Sequence, residues 1–529
     1  MMTVGPQHHI FLLIFTTQFH IIVLKTRIIN NIYFVVTLPR KFTSKKPQSN
    51  IMELVILMAG IVYGLIIGLI PAAGATTGLI TLFGFMPYFV GDPYLGVIFC
   101  VAVVASSTTG DSFSGVLLGI PGANSAAATM VDGFPMAKNG EATRALSAAI
   151  TSSTANGLFF GSLTFLFLPW YTKIVMYMGI PELWALVLLA FVTVGFVSTR
   201  KYVRSAFAIV LGVTIGLVGV DVNNVPRFTM GWRYLEDGIQ ILPYVAGLFA
   251  IPELWKGWFE RKQTATIKAE HGSWQDLKQG AKDTVRCWKD SIRGGMIGSF
   301  IGLLPGLGGA MADWLAYGAT VASNPKEKFG NGNVKGVIGA EGANNAQKAA
   351  SFIPTVLFGI PGASFAAILM GLFLYLGIDL GSPDTFYDDK LFDSMTFAFL
   401  IGTIITAVIC YGLAYFAGWV TRVPYVYYFP FILAVIVWAT LQYTGGWEDL
   451  AVLLVFSIMG LLCKKFQVSR PALLIGYLLS DRIYSLTYQL TTLHTMQDLI
   501  TRPIFIFIMI CVILLLYWGL TKRSKLDYA

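Results

Sequence analysis

The sequence predicts an all-α polytopic membrane protein of about 10–13 spans, arranged as two repeats with paired broken or re-entrant helices. Three observations predict it. Of 529 residues, 55% are hydrophobic and only 12% are charged, where a soluble domain carries about 25% charged residues. Apolar runs approach the roughly 20 residues a span needs at 51–70, 146–168, 173–197, 204–220, 238–255, 394–419, 425–441, 449–462 and 502–520, with shorter glycine-broken pieces at 78–130 and 294–380. Finally, GIPGANSAAATM (Gly119–Met130) nearly recurs as GIPGASFAAILM (Gly359–Met370), at an offset of 240.

The chain opens with a leader, 1–51, that is apolar but interrupted and ends in PRKFTSKKPQSN. It reads as an extra span, a targeting segment or an over-called start, since Met52 begins a cleaner apolar run. The first 50 residues hold six of the 37 basic residues and none of the 28 acidic ones, so most of the net charge of +9 lies there. That distribution speaks against nucleic acid as a partner, and basic loops of a membrane protein are topology signals. The first repeat half is expected over 52–255. A basic linker over 256–293 carries Lys256, Arg261, Lys262, Lys268, Lys278, Lys282, Arg286, Lys289 and Arg293. It is expected in the cytoplasm, partly as an amphipathic surface helix. The second half spans 294–520, and 521–529 is a cytoplasmic tail.

A second pair of segments supports the duplication. GLIIGLIPAAGA (Gly64–Ala75) aligns with GSFIGLLPGLGG (Gly298–Gly309), pairing Gly64, Gly68, Pro71 and Gly74 with Gly298, Gly302, Pro305 and Gly308 at an offset of 234. The polar stretch SNPKEKFGNGNVKG in the second half absorbs the difference between the two offsets. In hydrocarbon, every backbone N–H and C=O must be satisfied within the protein. Proline removes a donor and disfavours a helical residue before it. Such breaks persist only where the freed groups face protein or a water-filled cavity. Twinned breaks in the two halves of a transporter therefore point to its substrate site. The half-helix after each break offers free N–H groups and a positive dipole end to an anion.

The substrate-binding candidates are Pro71, Gly74, Thr76, Thr77, Ser112, Pro121, Gly122, Asn124, Ser125, Pro305, Gly306, Gly308, Asn344, Asn345, Lys348, Pro361, Gly362 and Ser364. Ionisable groups inside a membrane are expensive and line pathways, which makes Asp111, Asp132 and Glu341 candidates for coupling a cation. Hard cations such as Na⁺ take oxygen ligands. The plainer reading of any one of these residues is interhelical hydrogen bonding or close helix packing. The five cysteines (100, 287, 410, 463 and 511) show no CxxC, and HExxH and GxSxG are absent. No enzyme chemistry, cofactor or metal site is expected beyond Na⁺ as a coupling ion.

The run GIPGANSAAATMVDGFPMAKNGEATRALSAA (Gly119–Ala149) resembles the large membrane subunit of the tripartite tricarboxylate transporters, the TctA family. Its pattern falls on Pro121, Gly122, Asp132, Gly133, Pro135, Ala137, Gly140, Arg144, Ala145 and Leu146. GVDVNNVPRFTMG, LPGLG, FGNGNVKGVIGAEGANNA and IPTVLFGIPGASFAA are also similar to family segments, so the resemblance covers roughly 52–520. It implies a secondary transporter that imports carboxylates, of the tri- or dicarboxylate class, through the inner membrane on a Na⁺ or H⁺ gradient. It also implies two partners, a small four-span membrane subunit and a periplasmic solute-binding protein, and inverted repeats. Three departures stand out. Asp111 replaces a glycine before Ser112, Lys348 precedes Ala349-Ala350 where the family has Gly-Gly, and Gly119 stands where the family often has Asn. Asp111 would repel an anion unless paired, protonated or bound to Na⁺, and Lys348 is a candidate partner. A smaller or differently charged organic acid then fits as well as citrate. The alternatives are a gated channel for small organic anions, a non-transporting membrane scaffold and a membrane-embedded enzyme.

Overall fold

The computed structural model describes residues 47–526, except 71–73, 120–122, 124–125, 198–201, 221–224, 253, 256–271, 305–307, 387, 417–424 and 445. Expectations for most of the leader, for 256–271 and for Pro71, Pro121, Gly122, Asn124, Ser125, Pro305 and Gly306 lie outside the described residues. The chain divides into two units, Met1–Val55 and Ile56–Ala529. Of the first, the described residues are the opening turns of one helix, and the helical scaffold belongs to the second.

The described elements are almost all helical. In chain order they are α1 (Pro47–Leu69), α2 (Gly74–Leu82), a 3₁₀ segment (Phe83–Phe89), α3 (Pro93–Leu118), α4 (Ala127–Lys138), α5 (Ala142–Met176), α6 (Ile180–Val197) and α7 (Tyr202–Gly216). A two-residue antiparallel ladder, β1 (Gly219–Val220) on β2 (Pro226–Arg227), pairs Gly219 with Arg227 and Val220 with Pro226. Then come α8 (Arg233–Glu236), α9 (Ile241–Val245), α10 (Trp274–Arg286), α11 (Trp288–Leu303), α12 (Gly308–Ser323) and α13 (Val334–Phe358). The chain continues through α14 (Ser364–Tyr375), α15 (Pro383–Phe386), α16 (Asp389–Tyr415), α17 (Tyr425–Thr444) and α18 (Glu448–Phe466). It closes with α19 (Arg470–Leu478), α20 (Ser480–Leu493), α21 (Met496–Ile500) and α22 (Pro503–Leu526). Among the described residues, three helices are long and apolar enough to cross a membrane on their own: Ile51–Leu69, Pro93–Leu117 and Asp389–Tyr415.

Two regions expected as short, glycine-broken pieces instead hold long continuous helices, α3 with 26 residues and α13 with 25. Their internal glycines give room to neighbouring side chains and backbones and leave the helical path intact. The path changes only at the ends, where Gly119 (φ 64°) and Gly359 (φ 58°) adopt left-handed geometry, a conformation glycine takes at little cost. Likewise α5 runs unbroken through the gap expected between 168 and 173 and ends at Met176.

The core is built on two close helix pairs. On α1, a Cβ at Gly60, Gly64 or Gly68 would fall 2.8, 2.1 or 2.4 Å from atoms of Ala102, Ser106 or Ser107 on α3. On α11, a Cβ at Gly294, Gly298 or Gly302 would fall 2.2, 2.4 or 2.5 Å from the carbonyl oxygens of Gly339, Ala343 or Gln347 on α13. Spacing of four residues keeps such glycines on one helix face, and only glycine lets helix backbones approach this closely. The opposite faces are exposed and apolar: Met58, Val62 and Ile66 on α1, and Ile292, Met296 and Phe300 on α11. Both the glycine face and the apolar face of α11 follow those of α1 at the offset of 234 read from the sequence.

The amphipathic helix α10 docks on the start of α5. Arg144 Nε donates to Asp283 Oδ2 at 2.7 Å, Ser147 Oγ to the Leu277 carbonyl at 2.6 Å, and Thr284 Oγ1 to the Ala148 carbonyl at 3.2 Å. Gly280 allows this approach, since a Cβ there would lie 2.3 Å from the Arg144 carbonyl.

Overpacking these contacts is expected to destabilise the fold by roughly 1–3 kcal/mol. Gly298→Ala and Gly64→Ala should each lower the temperature at which detergent-solubilised protein loses its monodisperse chromatographic peak. Gly412→Ala, where a Cβ meets nothing within 4 Å, should leave it unchanged or raise it. Equal behaviour of the three variants would refute the close-packed glycine faces.

Candidate functional site

The helices flanking the breaks bring polar side chains together in the interior. On α3, Thr108, Asp111 and Ser112 occupy neighbouring positions of one face, and on α13 Glu341, Asn344 and Lys348 do the same. Every residue of α13 from Gly336 to Leu357 is buried. The two faces meet. Ser112 Oγ donates to Glu341 Oε1 at 2.7 Å, and Thr129 Oγ1, just inside α4, donates to the same oxygen at 2.8 Å. Asn344 Nδ2 reaches Glu341 Oε2 at 3.3 Å and the Thr108 carbonyl at 3.4 Å. Asn345 Nδ2 lies 3.4 Å from Thr109 Oγ1.

Lys348 supplies the one cation of this group. Its Nζ donates to Asn344 Oδ1 at 3.2 Å and lies 5.7 Å from the centroid of the Phe365 ring, which ties it to the start of α14. Three carboxylates feel its charge: Asp111, Asp313 on α12, and Glu341. Glu341 is fully hydrogen-bonded, whereas all four oxygens of Asp111 and Asp313 are buried without a hydrogen-bond partner. Asn345 Oδ1 and both polar atoms of the Gln347 amide are unpartnered as well. Phe365 also joins an aromatic group of Phe352, Phe165 and Phe399, with successive ring centroids about 6 Å apart. These rings give the polar group an apolar wall.

The second break is close at hand. Pro361 and Gly362 are buried, the Gly362 N–H donates to Thr355 Oγ1 at 3.2 Å, and half-buried Ser364 begins α14. Arg482 on α20 secures the helix end before the break, donating to the carbonyls of Phe358 at 2.9 Å and Leu380 at 2.7 Å. A cation at a helix C-terminus matches its dipole and its free carbonyls.

Of the sequence candidates, the structure thus brings together Asp111, Ser112, Glu341, Asn344, Asn345 and Lys348, with Gly362 and Ser364 beside them. Gly74 and Gly308 begin α2 and α12 directly after their breaks, and Thr76 and Thr77 lie in the first turn of α2. No hydrogen bond joins these two threonine side chains to the Lys348 group among the described residues. Asp132 has a different task. Its Oδ1 accepts the N–H groups of Gly330, Asn333 and Gly332 at 2.7, 2.9 and 3.0 Å, and its Oδ2 accepts the Tyr317 hydroxyl at 3.0 Å. It therefore anchors the loop between α12 and α13, joining two family-like segments, VDGFP and FGNGN. Within that loop, hydrogen bonds from Asn333 and Lys335 hold the Glu327 carboxyl below its ordinary value. The expected Asp111–Lys348 pair makes no hydrogen bond, because Lys348 turns to Asn344. Thr129 is a member of the group that the residue pattern did not single out. Its only signal is its place four residues past Ser125, on the half-helix that follows the first break.

A buried polar centre within an apolar, almost wholly helical scaffold fits a membrane transport protein. The family profile described as Tripartite tricarboxylate transporter TctA family matches residues 54–475, and the chain belongs to that family. It is a transporter family, which fits a protein that is not an enzyme. The chain is 28% identical over 434 residues to an uncharacterized 52.8 kDa protein in the TAR-I ttuC' 3' region of Agrobacterium vitis, covering 81% of this chain and 85% of the relative. It is 30% identical over 189 residues to an uncharacterized protein in the TAR-II ttuC' 3' region of the same organism, covering 34% of this chain and 76% of the relative. No solved structure matches the chain.

Replacing Asp132 removes four acceptor contacts at once. One hydrogen bond to a charged group is worth about 1.5–3 kcal/mol, so Asp132→Ala should speed limited proteolysis within 324–333 by about tenfold or more. The native loop should also loosen in acid. The Glu327 contribution is complete above the ordinary glutamate value of about 4.3 and fades as the pH falls below it, through the lowered value of the folded loop. Unchanged cleavage of the Asp132 variant would show that the carboxylate does not hold the loop.

Proposed function

We propose that this chain is the membrane subunit of a binding-protein-dependent secondary transporter importing organic acids through the inner (plasma) membrane. The observation that carries the reading is the wholly buried polar group at Glu341, Asn344 and Lys348, in a chain of the TctA family. A periplasmic solute-binding protein delivers the acid, a small four-span membrane subunit completes the assembly, and a Na⁺ or H⁺ gradient drives uptake. The breaks at Pro71, Pro121, Pro305 and Pro361 are the tips of broken helices around one site. Thr76, Thr77, Asn124, Ser125, Asn344, Asn345 and Ser364 hold substrate and cation there. Movement of one part of the scaffold relative to the other then gives alternating access.

The two halves, 52–255 and 294–520, are read as copies of one unit in inverted orientation. The matched glycine and apolar faces of α1 and α11 support the duplication, as do the left-handed glycines 240 residues apart at the ends of α3 and α13. The inversion rests on the family resemblance. The linker over 256–293 is assigned to the cytoplasm, where its basic residues set the orientation.

Uptake by vesicles holding the chain and its two partners tests this reading. Gradient-driven accumulation of one acid is expected, and equilibration without accumulation would favour the gated channel. Pro361→Ala and Pro121→Ala should cut uptake by at least about tenfold, roughly 1.4 kcal/mol of misplacement at the site, while the protein still inserts. Full uptake by both variants would remove the breaks from the site.

A further inference from the structure

The unmet hydrogen bonding of the buried group does not suit a simple anion. Three carboxylates, Asp111, Asp313 and Glu341, share the interior with one ammonium, Lys348. Glu341 is compensated by donors from Ser112, Thr129 and Asn344. Asp111 and Asp313 are not: each is about 1% exposed, and none of their oxygens accepts a hydrogen bond. Buried carboxyl groups without hydrogen-bond partners are strongly disfavoured. A molecule bearing only carboxylates brings no N–H donor to these four oxygens. Lys348, by contrast, has donors to spare, since an ammonium carries three N–H groups and one is directed to Asn344.

These two unmet needs are complementary. We infer that the transported molecule is an amino carboxylate, whose protonated nitrogen is taken between Asp111 and Asp313 and whose carboxylate is taken by Lys348. The inference rests on the transport reading above and names the substrate class of that same site. A protonated amine offers up to three N–H donors to the unpartnered oxygens, and Asn345 Oδ1 is one more buried acceptor without a donor. A neutral or zwitterionic amino carboxylate leaves the net charge of the centre unchanged on binding.

The test uses the assembled complex in vesicles and compares acids paired by carbon skeleton: aspartate with succinate, glutamate with glutarate, and alanine with propionate. Each pair is run with a Na⁺ gradient and with N-methylglucamine in its place. In at least one pair the amine-bearing acid should be taken up at least about 100-fold better than its amine-free counterpart, because a site built around a donor rejects a ligand lacking it. Asp111→Asn and Asp313→Asn, which keep size and remove charge, should each erase that preference in uptake and in ligand-induced thermal stabilisation of the purified complex. Uptake of an amine-free acid as good as that of its partner would overturn the inference while leaving the transport reading intact. If that uptake also needed Na⁺ and lost the need in Asp111→Asn, the positive charge at the aspartates would be the ion. No flux of any acid by the assembled complex would overturn the transport reading, and this inference with it.

Discussion

Everything in this structure depends on the price of a polar group in a dry interior. An apolar chain has no water at depth to satisfy a broken helix or an ionised side chain. The protein therefore meets part of its polar centre with its own donors and keeps most of that centre on two helices, α3 and α13, that are almost wholly buried. Glycine faces on α1 and α11 bring neighbouring backbones against those helices. The exposed face of α11 is left to large apolar side chains such as Met296 and Phe300.

Compensation of the buried carboxyl groups is uneven. Glu341 receives three side-chain donors, Asp132 receives four from a loop and a tyrosine, and Asp111 and Asp313 receive none. A carboxylate satisfied by fixed protein donors holds structure. One left without them stores an unfavourable state that binding of a suitable partner relieves. This contrast divides carboxylates that look alike in the sequence. Asp132 lies in a strongly patterned family segment and is an anchor. Asp313 sits in the helix that follows the Pro305 break, and its oxygens have no hydrogen-bond partner.

Much of this was legible in the residues. The membrane class came from composition, and most of the polar centre from hydroxyls, amides and charges beside Pro-Gly breaks, while the duplication that two repeated motifs suggest stays a proposal. Other features were not legible. Glycine within 78–130 and 294–380 suggested interruption, but a helix tolerates glycine when tight packing against a neighbour offsets its low propensity. Sequence cannot tell a glycine that bends the path, such as Gly119, from one that seats a partner helix, such as Gly298. The partnering of charges was equally hidden. Lys348 meets Asn344 one turn away on its own helix, whereas Asp132 finds its donors about two hundred residues on, in a loop whose geometry depends on Gly330 and Gly332.

The central claim is that the centre around Lys348 is the place where a transported molecule sits. Substrate protection of a single cysteine at Ser364, in a chain whose five native cysteines are replaced, tests it most directly. The account predicts that a small thiol reagent labels this position in vesicles holding the whole complex. The transported acid should slow the labelling in proportion to its occupancy, and an acid that is not transported should leave the rate unchanged. Labelling at the same rate with and without saturating substrate would contradict it.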